Sequence, residues 1–293
     1  MEQKINQIVK DFFKTDNFKI VCRLMGGMSN YTYVVNVDDS LYTVRYPGEY
    51  CECFVDRKLE EEGIKLFNSL NLTNETIYFN NETHVKIAKY VDGTSLNEYK
   101  NSNIELPYQE VAELLKQVHQ SSLKCSVDYA PYKRLDKYEN DLKNLGFTLP
   151  NRYLELRNYF NSFQSYLESQ EKVLCHNDSQ PSNFIKTNDK LYVVDFEFVG
   201  NNDLIYDIAC FANMELSDGE KLLSVYFGEL NDDLTKRFYL WRAFQCFQWY
   251  NVAMFKELVG MSKTLKLDFK MIAESYLTQI NENLEKVKKI HKN

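Results

Sequence analysis

Two short apolar runs, Lys172-Val173-Leu174-Cys175 and Leu191-Tyr192-Val193-Val194, bracket the octet His176-Asn177-Asp178-Ser179-Gln180-Pro181-Ser182-Asn183. The second run passes straight into Asp195-Phe196-Glu197. Apolar runs of this length, bounded by polar turn residues, are strand signals. The octet therefore lies on a loop that leaves one strand and enters a hairpin, with Asp195 at the hairpin's far end. In chain order Asp178 offers an acceptor for a hydroxyl proton, and Asn183 and Asp195 offer hard oxygen ligands for a magnesium ion. Phosphoryl transfer from a nucleotide needs those parts. Singly, each residue has a plainer reading, because short polar side chains satisfy their own backbone in turns. The ordered set with strands on both sides reads as a catalytic loop.

A loop of this kind needs a β-rich segment before it, and the chain has one. Residues 18–23 alternate into Met25-Gly26-Gly27-Met28-Ser29-Asn30, and residues 31–37 form a second strand rich in Val and Tyr. Asp38-Asp39-Ser40 makes a turn, and residues 41–46 form a third strand. A glycine-containing turn between strands lets backbone N–H groups approach phosphates. With two glycines and no G-x-G-x-x-G it would pass for an ordinary hairpin tip if Asp178 did not follow. Arg45 is the basic residue of the third strand, facing where nucleotide phosphates would lie. A helix is expected over 55–70, and a carboxylate on it can hold Arg45 in a bidentate pair. Glu60 is the choice, although Glu61 and Glu62 are also available; two of the three read as solvated surface. Strands over 76–79 and 85–91 follow, and Asp92-Gly93 reads as a hinge where an adenine ring would dock. The chain thus divides into a nucleotide-binding lobe, 1–92, and a helical lobe with the catalytic loop and substrate pocket, 93–293.

Beyond residue 94 the apolar period becomes helical. Pro107 opens a helix with Val111, Leu114, Leu115 and Val118 at spacings of three and four, and His119 near its end reads as a packing residue. Further helices are expected over 152–168, from Asp207 through Ile208, Phe211 and Ala212, and over 221–227, 234–258 and 269–290. Asp207 either caps its helix or braces the catalytic loop from beneath, a structural role in both cases.

Composition excludes some classes. No run of eighteen apolar residues occurs, so no membrane span is expected, and the first fourteen residues are amphipathic and charged, unlike a signal peptide. The seven cysteines are scattered, and Cys51-Glu52-Cys53 has no partner pair at zinc-site spacing. Reduced thiols and a cytoplasmic location follow as expectations. A net charge of −7 argues against nucleic acid as a main partner.

The order H-x-D-x-x-x-x-N followed by D-F-x resembles the protein-kinase signature, with Asn177 in place of Arg and Glu197 in place of Gly. Gly26-Gly27-Met28-Ser29-Asn30, Tyr42-Thr43-Val44-Arg45-Tyr46-Pro47-Gly48, Asp56-Arg57-Lys58-Leu59-Glu60, Val91-Asp92-Gly93 and Tyr206-Asp207-Ile208-Ala209 extend the likeness. Over residues 24–215 the chain resembles the choline/ethanolamine kinase group of the aminoglycoside-phosphotransferase-like family; Arg on the third strand and Asp-Phe-Glu are features of that branch. The resemblance implies an α+β, bilobal protein-kinase-like fold with a small β-rich N-lobe and a larger, mainly helical C-lobe. It implies transfer of the γ-phosphate of ATP to the hydroxyl of choline. Asp178 would orient or deprotonate that hydroxyl, and Asn183 and Asp195 would ligate Mg2+ with help from Glu197 through water. Arg45 with Glu60 would position the nucleotide phosphates, residues 26–30, including Gly27, Ser29 and Asn30, would close over them, and Gln180 would steady Asp178 or the phosphates.

The acceptor is read from the C-terminal part. A trimethylammonium group cannot donate hydrogen bonds, so its capture relies on aromatic faces and carboxylates. Residues 238–250 are unusually aromatic and contain both tryptophans. At 100° per residue Phe238, Trp241, Phe244 and Trp249 share one broad face. Trp241, Phe244 and Trp249 are thus candidate walls for a cation, with Glu215 as a candidate carboxylate. A helix aromatic all round can equally be buried core. Two other readings stand beside choline. One is a kinase of ethanolamine, thiamine or an aminoglycoside. The other is a nucleotide-binding pseudokinase scaffold, disfavoured because Asp178, Asn183, Asp195 and Arg45 are all present.

Overall fold

The computed structural model of the chain describes residues 1–24 and 30–290. Gly27 and Ser29, expected to close over phosphates, lie outside the described residues. The chain forms two compact units, one of Met1–Ser126 with Asp178–Gly200, the other of Val127–Asn177 with Asn201–Asn293. The lobe boundary read at residue 92 falls inside the first unit.

In the first unit, helix α1 (Glu2–Phe13) precedes strands β1 (Phe18–Leu24), β2 (Asn30–Val37) and β3 (Ser40–Pro47). Helix α2 (Arg57–Ser69) then leads to β4 (Thr76–Phe79) and β5 (Lys86–Lys89). The five strands form one antiparallel sheet in the order β1-β2-β3-β5-β4. The buried side chains Ile5 and Val9 of α1 pack on Tyr33, Val35, Val37, Val44, Val85 and Ile87, the alternate inward positions of the sheet. Helix α2 starts where Asp56 accepts hydrogen bonds from the backbone N–H groups of Lys58 (3.0 Å) and Leu59 (3.4 Å). Its buried stripe runs Arg57, Glu60, Gly63, Ile64, Phe67, so the inward face is charged at one end and apolar at the other. Phe67 meets Phe196 with ring centroids 4.7 Å apart. At Gly63 an added Cβ would stand 2.9 Å from Val199, so glycine allows α2 to approach the segment after Asp195. Helices α3 (Leu96–Asn101) and α4 (Tyr108–His119) and the hairpin strands Phe184–Lys186 and Leu191–Val193 complete the unit. His119 is buried at the end of α4.

The second unit is helical, with α5 (Pro131–Asn144), α6 (Asn151–Asn161), α7 (Gln164–Glu168), α8 (Ile205–Cys210), α9 (Leu216–Phe227), α10 (Asp232–Leu258), α11 (Met261–Leu265) and α12 (Phe269–Ile290). Helix α10 is capped by Asn231, whose side chain accepts from the N–H of Leu234 at 2.9 Å. It is buried from Leu240 to Gln248 without a break, so it has no solvent face along that stretch. The single helix expected over 152–168 is interrupted at Ser162–Phe163 into α6 and α7. Helix α8 begins at Ile205 rather than at Asp207, which sits inside its first turn.

Candidate active site

The residues before Asp178 are fixed within the second unit by one carboxylate. Asp207 accepts the backbone N–H of His176 at 2.9 Å and that of Asn177 at 2.7 Å. The side-chain oxygen of Asn177 accepts from Asn202 at 2.8 Å. Asn177 takes the left-handed conformation (φ 61°), which asparagine tolerates better than most residues. Of the two roles read for Asp207, bracing the loop is the one the geometry has; all these groups are buried.

In the first unit, Asp178 is the centre of a small hydrogen-bonded loop. The Asn183 amide nitrogen donates to the Asp178 backbone oxygen (2.7 Å) and to its Oδ2 (3.0 Å). The Gln180 amide donates to the same Oδ2 at 3.2 Å. Pointing the Asn183 nitrogen at Asp178 turns its Oδ1 to other partners, of which the Ser182 hydroxyl, 3.5 Å away, is a weak one. The Asn183 backbone oxygen accepts the N–H of Val194 at 2.9 Å, which ties the loop to the strand that delivers Asp195. Asp195 itself has φ 72°, a sparsely populated conformation for a non-glycine residue. Strain of that kind concentrates at functional positions.

The basic side of the unit is built from β3 and α2. Arg45 pairs with Glu60 at 2.5 Å and stands 3.7 Å from carboxylate oxygens of both Asp195 and Glu197. Glu60, fully buried, also accepts from Arg57 at 2.6 Å. Of its neighbours, Glu61 pairs with Lys65 at 2.7 Å, and Glu62 accepts from the Ser126 backbone at 2.6 Å. Arg57 continues the chain of contacts, donating to Glu197 Oε1 at 2.7 Å and to the Asn30 side-chain oxygen at 3.2 Å. Asn30 in turn donates to Glu197 Oε1 at 2.6 Å. Arg57 was not among the residues singled out from the sequence. Its signal was its place three residues before Glu60, on the same helical face.

The electrostatics of the acidic cluster favour a divalent cation. Carboxylate oxygens of Glu60, Asp195 and Glu197 come within 4.8 Å of one another. Glu60 has one carboxylate oxygen on each of two arginines, whereas Glu197 meets Arg57 and Asn30 through Oε1 alone, so Asp195 and Glu197 are the pair that could hold a metal. Asp195 Oδ1 is buried without a hydrogen-bond partner, and the recorded bonds of Glu197 all go to Oε1. Partial burial and the adjacent Glu197 charge, against the pull of Arg45 and Lys86, push the Asp195 carboxyl up to about 7. Burial and the charge of Asp195 likewise raise Asp178 well above the usual carboxylate range, against the pull of Asn183 and Gln180. Hard oxygen ligands that repel one another in this way fit Mg2+.

The residues read as an acceptor pocket belong to the second unit and do not share one environment. Trp241 is 2% exposed, and its indole N–H donates to Asp203 at 2.8 Å. Phe244 is fully buried, with its ring 5.8 Å from Tyr206 and 6.1 Å from Trp241. Both rings pack the interior of the unit, the alternative noted for this helix, because every side of α10 there meets another element. Trp249 is half-buried, and Glu215 is exposed just before α9.

The choline/ethanolamine kinase family matches residues 21–219. Protein LicA of Haemophilus influenzae is 23% identical over 212 residues, which cover 71% of this chain and 62% of that protein. The crystal structure of LicA in complex with AMP superimposes with a TM-score of 0.76 at 22% identity, covering 97% of this chain and 98% of the other. Choline kinase LicA from Streptococcus pneumoniae gives 0.72 at 21% identity, covering 95% and 99%. No helix among the described residues is long and apolar enough to cross a membrane. The α+β architecture, a small antiparallel sheet in the N-terminal part and a mostly helical remainder, is the protein-kinase-like fold of these structures. The chain belongs to the choline/ethanolamine kinase family.

Proposed function

We propose that the protein transfers the γ-phosphate of ATP to the hydroxyl of choline, giving phosphocholine and ADP. The observation that carries this reading is Asp178, buried and held at one oxygen by Asn183 and Gln180, in the same unit as the Arg45–Glu60 pair and the Asp195–Glu197 carboxylates. Asp178 accepts the hydroxyl proton as the alcohol oxygen forms its bond to phosphorus and the bond from phosphorus to the ADP oxygen breaks. Its raised affinity for a proton suits a base that must act near neutral pH. Arg45, oriented by Glu60, positions the phosphates. Asn183, Asp195 and Glu197 would hold Mg2+, which neutralises phosphate charge when bound. Choline as acceptor is supported by the family and by the choline kinase among the similar structures. For the cationic end of the acceptor, Glu215 and the half-buried Trp249 are the candidates retained.

The test is magnesium-dependent ADP release from ATP with choline, ethanolamine, thiamine and kanamycin offered separately. Choline is expected to stimulate well above the others. Preference for another acceptor would overturn the choline assignment alone, and no stimulation by any would overturn the kinase reading. Trp249→Ala is expected to raise the KM for choline by about tenfold, between the values of an exposed and a desolvated cation–π contact, while the KM for ATP stays within about twofold. Equal rises in both would remove Trp249 from the acceptor site.

The acidic pair also sets a pH dependence. A carboxyl whose folded-state pKa is raised contributes stability that is complete at low pH and is lost as pH rises through the folded value. Without metal, Asp195 is therefore expected to make the protein progressively less heat-stable as pH rises from about 4 to about 7. Magnesium competes with that proton, so its stabilising effect should be small at pH 5.5 and reach its full size above pH 7. Melting curves at several pH values, with and without Mg2+, check this, and the pH trend of the metal's effect should vanish in Asp195→Asn.

A further inference from the structure

One buried cation of the first unit is not used by the mechanism above. Lys86, on β5, is 9% exposed and is the direct cross-strand partner of Arg45 on β3. Directly opposed residues of an antiparallel pair project from the same face of the sheet, with Cβ atoms about 5 Å apart. Two cations are thus set side by side in a nearly buried place, an arrangement that destabilises a sheet unless something compensates it. Arg45 is compensated by Glu60 at 2.5 Å. Lys86, by contrast, makes no ion pair within 4.0 Å among the described residues. Its ammonium lies 5.5 Å from the centre of the ring of Phe196, the residue between Asp195 and Glu197. Burial and the neighbouring Arg45 push it down to about 8, and Glu60, Asp195 and Glu197 act the other way.

For packing alone a methionine or leucine would serve better at this position, since an ammonium loses its hydration there without a close counter-charge. The cost is offset if an anion enters. Arg45, Arg57 and Glu60 are locked to one another by contacts of 2.5 and 2.6 Å, so the two guanidiniums are held in place. Lys86 has the flexible stem and compact charge that can follow a phosphate group. We propose that Lys86 is a second phosphate-positioning residue, whose ammonium pairs with the phosphates of the nucleotide beside Arg45. This rests on the nucleotide-dependent kinase reading given above.

The experiment compares ADP and adenosine binding by calorimetry for the wild type, K86M and K86R, with steady-state KM values for ATP and choline alongside. Adenosine reports the base and ribose alone, and the difference between the two ligands reports the phosphates. K86M is expected to lose about tenfold in ADP affinity, to show a matching rise in ATP KM, and to keep adenosine affinity and choline KM within about twofold. K86R should recover part of the ADP affinity, and the melting temperature of K86M should not fall, because a buried charge has been removed. Full retention of the preference for ADP over adenosine in K86M overturns the assignment. Equal losses for both ligands in K86M and K86R also overturn it, since they mark Lys86 as structural. If the wild type shows no preference for ADP over adenosine, the nucleotide reading itself fails and this inference falls with it.

Discussion

Asp178→Ala is expected to lower kcat by about three orders of magnitude while leaving the protein at least as resistant to heat as the wild type. The loss follows from its role: proton acceptance and alignment of the attacking hydroxyl together supply about 10²–10⁴ in rate, and no other carboxylate is held by both Asn183 and Gln180. The stability follows from its surroundings. Asp178 is buried, and the charges of Asp195 and Glu197 oppose its ionisation, so truncating it removes a repulsion. A residue kept for packing would show the reverse, with full turnover per folded molecule and a lower melting point. Rapid-quench measurement of phosphoryl transfer beside a melting curve separates the two. Near-wild-type turnover in the variant would end the assignment of Asp178 as the base.

Arg57→Ala is expected to have the largest effect on stability. Its guanidinium bridges Glu60 and Glu197 at 2.6 and 2.7 Å and reaches Asn30 at 3.2 Å. Removing one partner from a buried ionic cluster leaves uncompensated charge and costs about 3–5 kcal/mol, whereas replacing the cluster by apolar groups can be neutral. Urea titration should show that loss in Arg57→Ala and much of it recovered in Arg57→Met combined with Glu60→Gln. Activity should not recover in the double variant, because Arg45 would have lost the carboxylate that orients it. A stable, active Arg57→Ala would mean that the cluster is held by other contacts. Additive losses in the double variant would mean that Arg57 and Glu60 act independently.

The catalytic loop and the sheet were legible because both rest on local patterns. The strand Thr76–Phe79 and the helix Phe269–Ile290 have the limits that alternation and helical spacing indicate. Glu60 could be preferred over Glu61 and Glu62 on likeness to a known motif, but its burial depends on phase: it shares a stripe with Gly63, Ile64 and Phe67. Helix α5 escaped notice because its buried positions, Tyr132, Leu135, Tyr138 and Leu142, lie among nine polar or charged residues and half of them bear hydroxyls. Arg57 and Lys86 escaped for a different reason. A charge is read as surface by default, and only contacts across 140 residues of sequence, as from Arg57 to Glu197, bring these two inside. Trp241 illustrates the limit of periodicity, which placed it on an aromatic face but could not reveal Asp203 as the acceptor for its N–H.

The sheet-bearing unit is not contiguous, since residues 178–200 return to it after the chain has run through Val127–Asn177. During synthesis, then, Arg45, Arg57 and Lys86 are made long before Asp195 and Glu197, and Glu60 is the one carboxylate of the cluster available to them. Until residues 178–200 are made, the cluster has three cations against a single anion. Contacts that span so much sequence form late and set the pace of folding. Polyanions or high salt should therefore speed refolding of this unit, and the last step to native structure should be the arrival of the two acidic residues.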